Sequence, residues 1–286
     1  MKYHRIIARL DIKGPNLVKG IHLEGLRVLG KPENFAQLYY EQGIDELIYQ
    51  DTVASLYQRN NLTEIVSRTA EKVFIPLTVG GGIRTLDDIN TVLRAGADKV
   101  SINTAAINNP DFINEACRTF GSSTIVVAIE ASCQLDKKTY LAYTDNGREY
   151  TGLEVLSWAK EVEERGAGEI LLTSIDKEGT GKGYDLELTS IVSAALTIPV
   201  IAHGGASNVS HIVEITQTTG ADAIAIASML HYSALNSKFI SSGQYKDEGN
   251  IEFIKKNKTF NVFGTENLVN LKEQLIVQNV PIRVED

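Results

Sequence analysis

IPLTVGGGI (75–83) and IPVIAHGGA (198–206) are two versions of one segment, placed 123 residues apart. Each joins an Ile-Pro pair to a short apolar run and then to a glycine cluster. GADKVSINTAA (96–106) is paired in the same way with GADAIAIASML (220–230), and EQGIDELI (41–48) with ERGAGEIL (164–171). A period of nearly half the chain is too long for a solenoid repeat. It indicates two fused halves of similar structure.

Short apolar runs alternate with amphipathic segments along the whole chain. Segments such as FAQLYYEQG (35–43) and LDDINTVLRAG (86–96) have helical spacing and end at glycine. The apolar runs predict eight strands, near 5–11, 44–51, 76–81, 99–104, 124–131, 169–175, 199–204 and 223–228. This pattern favours a single (β/α)₈ TIM barrel over residues 1–286, built from two half-barrel repeats. An open doubly wound sheet is the alternative, but no GxGxxG follows the first strand.

Composition excludes several classes of protein. The chain has 286 residues and a net charge of −8, which argues against a nucleic-acid-binding surface. No apolar run reaches the roughly 18 residues of a membrane span, and residues 1–12 lack the apolar core of a signal peptide. Cys117 and Cys133 have no metal-type spacing and are expected to be reduced, buried thiols of a cytoplasmic protein. We expect no metal and no cofactor.

One carboxylate ends the first strand of each half. Asp11 closes ARLDIK and Glu130 closes IVVAIEA, so the repeat makes them counterparts at the C-terminal face, where barrel enzymes keep their chemistry. Facing each other across the barrel mouth, they would suit general acid–base catalysis. Solvated loop acids are the alternative. Lys19, on the first loop, either holds an anionic substrate or lies on the surface.

Glycine clusters predict two phosphate sites. A backbone without Cβ atoms can approach an anion closely, and helix N-termini favour negative charge. Each half has a glycine cluster followed by a strand that ends in small polar residues, which gives the candidates Gly81, Gly82, Asn103, Thr104, Gly204, Gly205 and Ser228. Tight βα turns that bind nothing are the alternative.

The opposite ends of the strands carry a second pattern of charge. Two cations and two anions, Arg5, Glu46, Lys99 and Glu169, stand at or near strand N-termini. Inside a barrel, unpaired charges are costly, but two of each sign can balance in a ring. Four ordinary rim charges are the alternative.

Together these segments resemble a known family. RIIARLDIK (5–13), VKG (18–20), IPLTVGGGI, GADKVSINTAA and RGAGEILLTSID (165–176) are similar to the cyclase subunit of imidazole glycerol phosphate synthase, HisF. The resemblance covers residues 1 to about 232 and the tail from about 265. It implies a barrel that pairs at its N-terminal face with a HisH-like glutaminase. Ammonia from glutamine would cross the barrel and react with a bisphosphate at the top.

The resemblance also implies roles for individual residues. Asp11 and Glu130 correspond to the catalytic acid–base pair, and Lys19 assists on the first loop. The glycine and Asn-Thr motifs, with Gly179 of the sixth loop, bind the two phosphates. Arg5, Glu46, Lys99 and Glu169 gate ammonia entry, and Asp98 contacts the glutaminase.

The sequence departs from the family mainly at its catalytic end. Glu130 and Glu178 replace aspartates, His203 and Arg9 replace small residues, and Pro15 stiffens the first loop. Residues of roughly 233–263 are inserted before the last helix, and we expect this insertion near the catalytic rim. Such changes are typical of HisF paralogues that supply ammonia to an N-acetyl sugar amidotransferase for acetamidino-sugar formation in lipopolysaccharide and O-antigen biosynthesis. A genuine cyclase of histidine biosynthesis and a non-catalytic activator of a glutaminase are the alternatives.

Overall fold

A computed structural model describes residues 3–54, 62–134, 139–235, 250, 263 and 267–284. In chain order, the strands are β1 (Arg5–Lys13), β2 (Asn16–Ile21), β3 (Glu24–Gly30), β4 (Glu46–Asp51), β5 (Leu77–Gly80), β6 (Lys99–Ile102), β7 (Ile125–Gln134), β8 (Thr139–Thr144), β9 (Glu149–Glu154), β10 (Glu169–Ser174), β11 (Val200–His203) and β12 (Ala223–Ile226).

The helices in the same residues are α1 (Pro32–Glu41), α2 (Thr63–Ala70), α3 (Leu86–Arg94), α4 (Thr104–Asn108), α5 (Asp111–Phe120), α6 (Val155–Glu164), α7 (Leu186–Ala195), α8 (Val209–Thr218), α9 (Ser228–Leu235) and α10 (Leu268–Val277). Helix α3 shows how local sequence fixes such an element. The Thr85 hydroxyl accepts from the Asp88 backbone at 3.1 Å, and the Asp88 carboxylate accepts from the Thr85 backbone at 2.9 Å. Ile89 and Val92 then face the core.

Eight parallel strands close into a barrel, and the predicted fold is confirmed. Strands pair in the order β1, β4, β5, β6, β7, β10, β11, β12, and β12 returns to β1. The open-sheet alternative is excluded because no strand of this ring is left as an edge. The predicted strand positions agree with the observed ones to within a few residues, except that β7 runs on to Gln134.

Two antiparallel hairpins at the C-terminal end of the barrel were not predicted. Strand β1 continues past the barrel and pairs with β2, where Asp11 lies opposite Val18. Strand β7 does the same with β8, where Glu130 lies opposite Tyr143. Each half therefore adds a hairpin, β2–β3 or β8–β9, directly after its first strand. Both hairpins stand beside the two candidate carboxylates.

Hydrogen bonds at the N-terminal end repeat between the two halves. The Leu77 backbone N–H donates to the Asp98 carboxylate at 2.8 Å, and the Val200 N–H donates to Asp222 at 2.9 Å. Leu77 and Val200 are 123 residues apart, and Asp98 and Asp222 are 124 apart, which are the offsets of the sequence repeat. The repeat is thus a repeat of structure.

Buried side chains form two separate apolar clusters. The larger lies between the strands and the surrounding helices. The smaller fills the interior of the barrel, which we call the lumen, and consists of Ile7, Ile48, Val126, Ala128, Leu171, Ile201, Ala223 and Ala225. An eight-stranded barrel has an interior just wide enough for side chains to fill. The lumen is therefore a packed space, with charged residues only at its two ends.

Other predictions concern the surface and the insertion. Cys117 and Cys133 are free thiols, but the prediction that both are buried is wrong, because each is partly exposed. Most of the insertion, 236–249 and 251–262, lies outside the described residues. Of its remaining residues, Asn250 accepts a backbone hydrogen bond from Val28 at 2.9 Å and Phe263 stacks on Tyr232 at 5.0 Å. No helix within the described ranges is long and apolar enough to cross a membrane.

Candidate functional site

Four charged side chains close the N-terminal end of the lumen. Arg5 donates to Glu46 at 2.8 Å and also pairs with Glu169. Lys99 donates to both Glu46 and Glu169 at 3.2 Å. The structure thus joins the four predicted residues in a ring of alternating sign, which we call the entrance ring. Burial acts to lower the pKa of Arg5, but the two glutamates outweigh it and the net shift is upward.

Asp11 lies at the other end of the lumen and is held by two cations. Its carboxylate accepts from Lys19 Nζ at 2.6 Å and from Arg9 Nε at 3.0 Å. Only 1% of Asp11 is exposed. Burial acts to raise the pKa of Asp11, but the charges of Lys19 and Arg9 outweigh it and hold the pKa well below its usual range. Asp11 is therefore an ionised carboxylate.

Glu130 is buried at the same end of the barrel in a different electrostatic setting. Its Oε2 accepts from the Asn103 side-chain amide at 3.0 Å and from the Gly147 backbone at 2.8 Å. Burial raises the pKa of Glu130 to about 7, although Arg9 and the Gly147 N–H act to lower it. The nearby charge of Asp11 adds to the rise. Near neutral pH, Glu130 can therefore hold or release a proton.

Lys19 lies on β2 and points inward. It is 1% exposed and pairs with Asp11 and with Glu178 of the loop after β10. The second oxygen of Glu178 accepts from the Leu23 backbone at 2.9 Å. Burial acts to lower the pKa of Lys19, and the two carboxylates raise it above the usual value. Of the two possibilities for Lys19, the structure excludes a surface position. The Lys19–Glu178 pair ties the first loop to the sixth.

Arg9 crosses the lumen directly below these groups. Its Nη1 donates to Thr173 Oγ1 at 2.9 Å and to His203 Nδ1 at 3.1 Å. These partners stand on β10 and β11, and β10 is three strands from β1 around the ring. Arg9 Nη2 is buried and has no hydrogen-bond partner among the described residues. The sequence marked Arg9 and His203 only as departures from the family, and the structure connects them.

A pocket at the end of the first half-barrel contains the first set of glycines. Its volume is about 610 Å³, including the open mouth. The predicted residues Gly81, Gly82, Asn103 and Thr104 line it, and so do Arg84 and Glu130. Gly81 has a φ of +98°, and a Cβ there would collide with the Asp51 backbone. We call this cavity the first pocket.

A smaller pocket occupies the corresponding place in the second half. Its volume is about 230 Å³, including the open mouth, and its lining includes the predicted residues Gly179, Gly204, Gly205 and Ser228. Glu178 and His203 line it as well. Burial and the charge of Arg9 hold the pKa of His203 well below its usual range, so its imidazole is neutral. We call this cavity the second pocket; the His203 imidazole forms part of its wall.

Two supporting residues were not identified from the sequence. Gly147, in the β8–β9 turn, donates to Glu130 only because the hairpin folds back over β7. His231, on α9, is fully buried; its Nε2 lies 3.0 Å from the Arg9 carbonyl and its Nδ1 lies 2.7 Å from the Tyr39 hydroxyl. Burial lowers the pKa of His231 to about 3. No motif marks either residue, since both act through long-range contacts.

Asp98 lies at the N-terminal end, away from both pockets. It is exposed and accepts from the Leu77 backbone. This contact gives Asp98 a structural role, independent of any partner.

Comparisons with known proteins agree with this arrangement. The family described as "Histidine biosynthesis protein" matches residues 5–236. A protein of Legionella pneumophila is 63% identical over 201 residues, which is 70% of this chain and 94% of that protein. One of Lactococcus lactis subsp. lactis is 46% identical over 252 residues, 88% of this chain and 97% of the relative. One of Bacillus pumilus is 50% identical over 232 residues, 81% and 92% of the two chains.

All three relatives are named "Imidazole glycerol phosphate synthase subunit HisF". The family match over residues 5–236 includes the eight barrel strands and the residues that line both pockets. The names of the relatives favour histidine biosynthesis, and they give no support to the sugar-amidation interpretation that the sequence departures favoured.

Proposed function

The chain belongs to the HisF family of imidazole glycerol phosphate synthase subunits, and from that premise we propose that it is the cyclase subunit of this synthase in histidine biosynthesis. One observation carries the proposal. Asp11 and Glu130 share one barrel mouth, and their pKa values are displaced in opposite directions. Titratable pairs of this kind mark the acid and base of an active site. The sugar-amidation role is therefore our second candidate, not the first.

The two carboxylates divide the proton transfers of the cyclisation. Asp11 stays ionised beside Lys19 and Arg9, which makes it a weak base, so it accepts a proton once the substrate displaces one of these two cations. Glu130, with a pKa of about 7, is partly protonated at neutral pH and can donate a proton. Both groups are buried, which strengthens their electrostatic effect on a bound substrate.

The two pockets bind the phosphates of a bisphosphate substrate. Each combines glycines of positive φ with the N-terminus of a helix, α4 or α9. Glu130 lines the first pocket and the Lys19 partner Glu178 lines the second. A substrate that bridges both pockets therefore runs from Glu130 to the Lys19–Glu178 pair, which also holds Asp11.

Ammonia reaches this mouth through the lumen, whose packed side chains must move apart as it passes. The apolar lining favours neutral ammonia over ammonium, because an ion without a partner is costly to bury. The entrance ring would have to open for each molecule, and it is held by half-buried ion pairs that can rearrange. Ammonia would enter at the N-terminal end and react at the C-terminal end.

A HisH-like glutaminase covers the N-terminal end in this proposal. The entrance ring lies at that end, and Asp98 is exposed near it. Tyr3 and Phe74, which precede β1 and β5, are 64% and 74% exposed. Exposed aromatic side chains are enriched in protein interfaces. These residues fit a docking surface around the ring.

A direct assay tests the proposal. The purified chain is supplied with the bisphosphate substrate of the synthase and an ammonium salt, without any glutaminase. We expect turnover on the order of 1 s⁻¹ or faster. Asp11→Asn should reduce it by about a hundredfold or more, whereas Asp87→Asn, on the outer helix α3, should not. Absence of turnover in a folded chain would reject the cyclase function.

One specific observation favours the second candidate, a supply of ammonia to an N-acetyl sugar amidotransferase. The second pocket is small and is partly walled by His203, and Glu178 adds a carboxylate to its lining. Both features disfavour a phosphate. Stimulation of a glutaminase together with no cyclase turnover would support this role or a purely activating one. Ammonia transfer to an N-acetyl sugar would then separate the two.

A further inference from the structure

The guanidinium of Arg9 stands in the path that the proposed function assigns to ammonia. Arg9 reaches from β1 to Thr173 on β10 and His203 on β11, almost the full width of the barrel. It lies between the apolar lumen and the carboxylates, and 2% of it is exposed. Because an eight-stranded barrel has no spare width, a side chain in this position closes the lumen below the active site.

The hydrogen bonds of Arg9 leave the two Nη atoms of its guanidinium without a charged partner among the described residues. Nε is paired with a charged partner, Asp11, but Nη1 donates only to a neutral hydroxyl and a neutral imidazole. Nη2 has no partner among the residues that the structure describes. The Nη edge of an arginine forms its strongest bonds with a carboxylate or phosphate, which it binds in a bidentate manner. The closed position therefore does not satisfy Arg9 fully.

The second pocket adjoins this edge through His203. His203 belongs to both places, since its Nδ1 accepts from Arg9 and its side chain lines the pocket. Gly204, Gly205 and Ser228 complete the lining at the start of α9. His231 fixes the backbone carbonyl of Arg9, so the side chain can move while its base stays in place.

We propose that Arg9 is a second gate of the lumen, and that an anion bound in the second pocket opens it by drawing the guanidinium away from Thr173. The purpose of this gate depends on the proposed function. It would admit ammonia to the mouth only when the acceptor is bound, so that ammonia is not lost. The entrance ring and Arg9 would then control the two ends of one path.

The experiment observes Arg9 without any reaction. The full-length chain, labelled with ¹⁵N, is titrated with inorganic phosphate, and the Arg9 Nε–H signal is assigned by its loss in Arg9→Lys. We expect the backbone signals of Gly205 and Ser228 to shift and saturate. The Arg9 signal should move with the same midpoint. Saturation of the pocket with an unchanged Arg9 signal would overturn the proposal, and so would a failure of phosphate to bind.

Two threonine variants test whether the closed position of Arg9 opposes phosphate binding. Thr173→Val removes one hydrogen bond of the closed position, so the phosphate midpoint should fall on the order of fivefold, the equivalent of one ordinary hydrogen bond. Thr69→Val, whose hydroxyl contacts Tyr49 outside the barrel, should leave the midpoint unchanged. Equal midpoints in both variants would contradict the gate. Because no ammonia is involved, failure of the cyclase assay alone would reject the function and leave this result standing.

Discussion

Replacing Glu130 with glutamine should stabilise the protein more as the pH rises. Burial raises the pKa of Glu130 from 4.5 to about 7. The folded state therefore binds more protons than the unfolded state between these two values, and wild-type stability falls as the pH rises through them. Above pH 7, this pKa shift lowers the free energy of unfolding of the wild type by about 3 kcal/mol. Glutamine cannot ionise, and its side-chain oxygen can still accept from Asn103 and Gly147.

Urea unfolding at a series of pH values measures this effect. The free energy of unfolding of Glu130→Gln minus that of the wild type should rise by about 3 kcal/mol between about pH 4 and pH 8. The control is Glu149→Gln, an exposed carboxylate on β9, for which the difference should stay nearly constant. A flat difference for Glu130→Gln would show that Glu130 is ionised throughout. It would then be no proton donor at neutral pH.

Three further substitutions test other parts of the site. Lys19→Met leaves two buried carboxylates without their shared cation and should cost about 3–5 kcal/mol in urea unfolding, whereas the exposed Lys160→Met should cost under about 1. Gly205→Ala places a Cβ at a φ of +106° against the Gly183 carbonyl, which should cost about 1–3 kcal/mol and weaken phosphate binding measured by calorimetry. Lys99→Met opens the entrance ring, so the ratio of glutamine-dependent to ammonium-dependent turnover should change; an unaltered ratio would remove the ring from the ammonia path.

Most of the barrel could be predicted from the sequence, because local residue patterns mark its strands and helices. Alternation of apolar runs with helical spacing marks each strand and helix, and the offsets of 123 and 124 residues relate the two halves. Asp11 and Glu130, which are 119 residues apart, were assigned to one face as counterparts in the two halves, since parallel strands of a barrel end together. The hairpins β2–β3 and β8–β9 were missed because the apolar runs end near Asp11 and Glu130, whereas the strands continue beyond these residues and pair there with β2 and β8.

The placement of the two carboxylates and the glycine clusters at one end of the barrel followed from the sequence by itself, through the repeat and the strand ends. The proton affinities of those carboxylates were decided only by the tertiary structure. Two carboxylates that the sequence treats as equivalents differ because Lys19 and Arg9 form ion pairs with Asp11, while Glu130 accepts from the Asn103 amide and the Gly147 N–H, and burial raises its pKa against the charge of Arg9. Proton affinity depends on desolvation and on charges brought close by folding, and neither quantity is a property of a residue's neighbours along the chain.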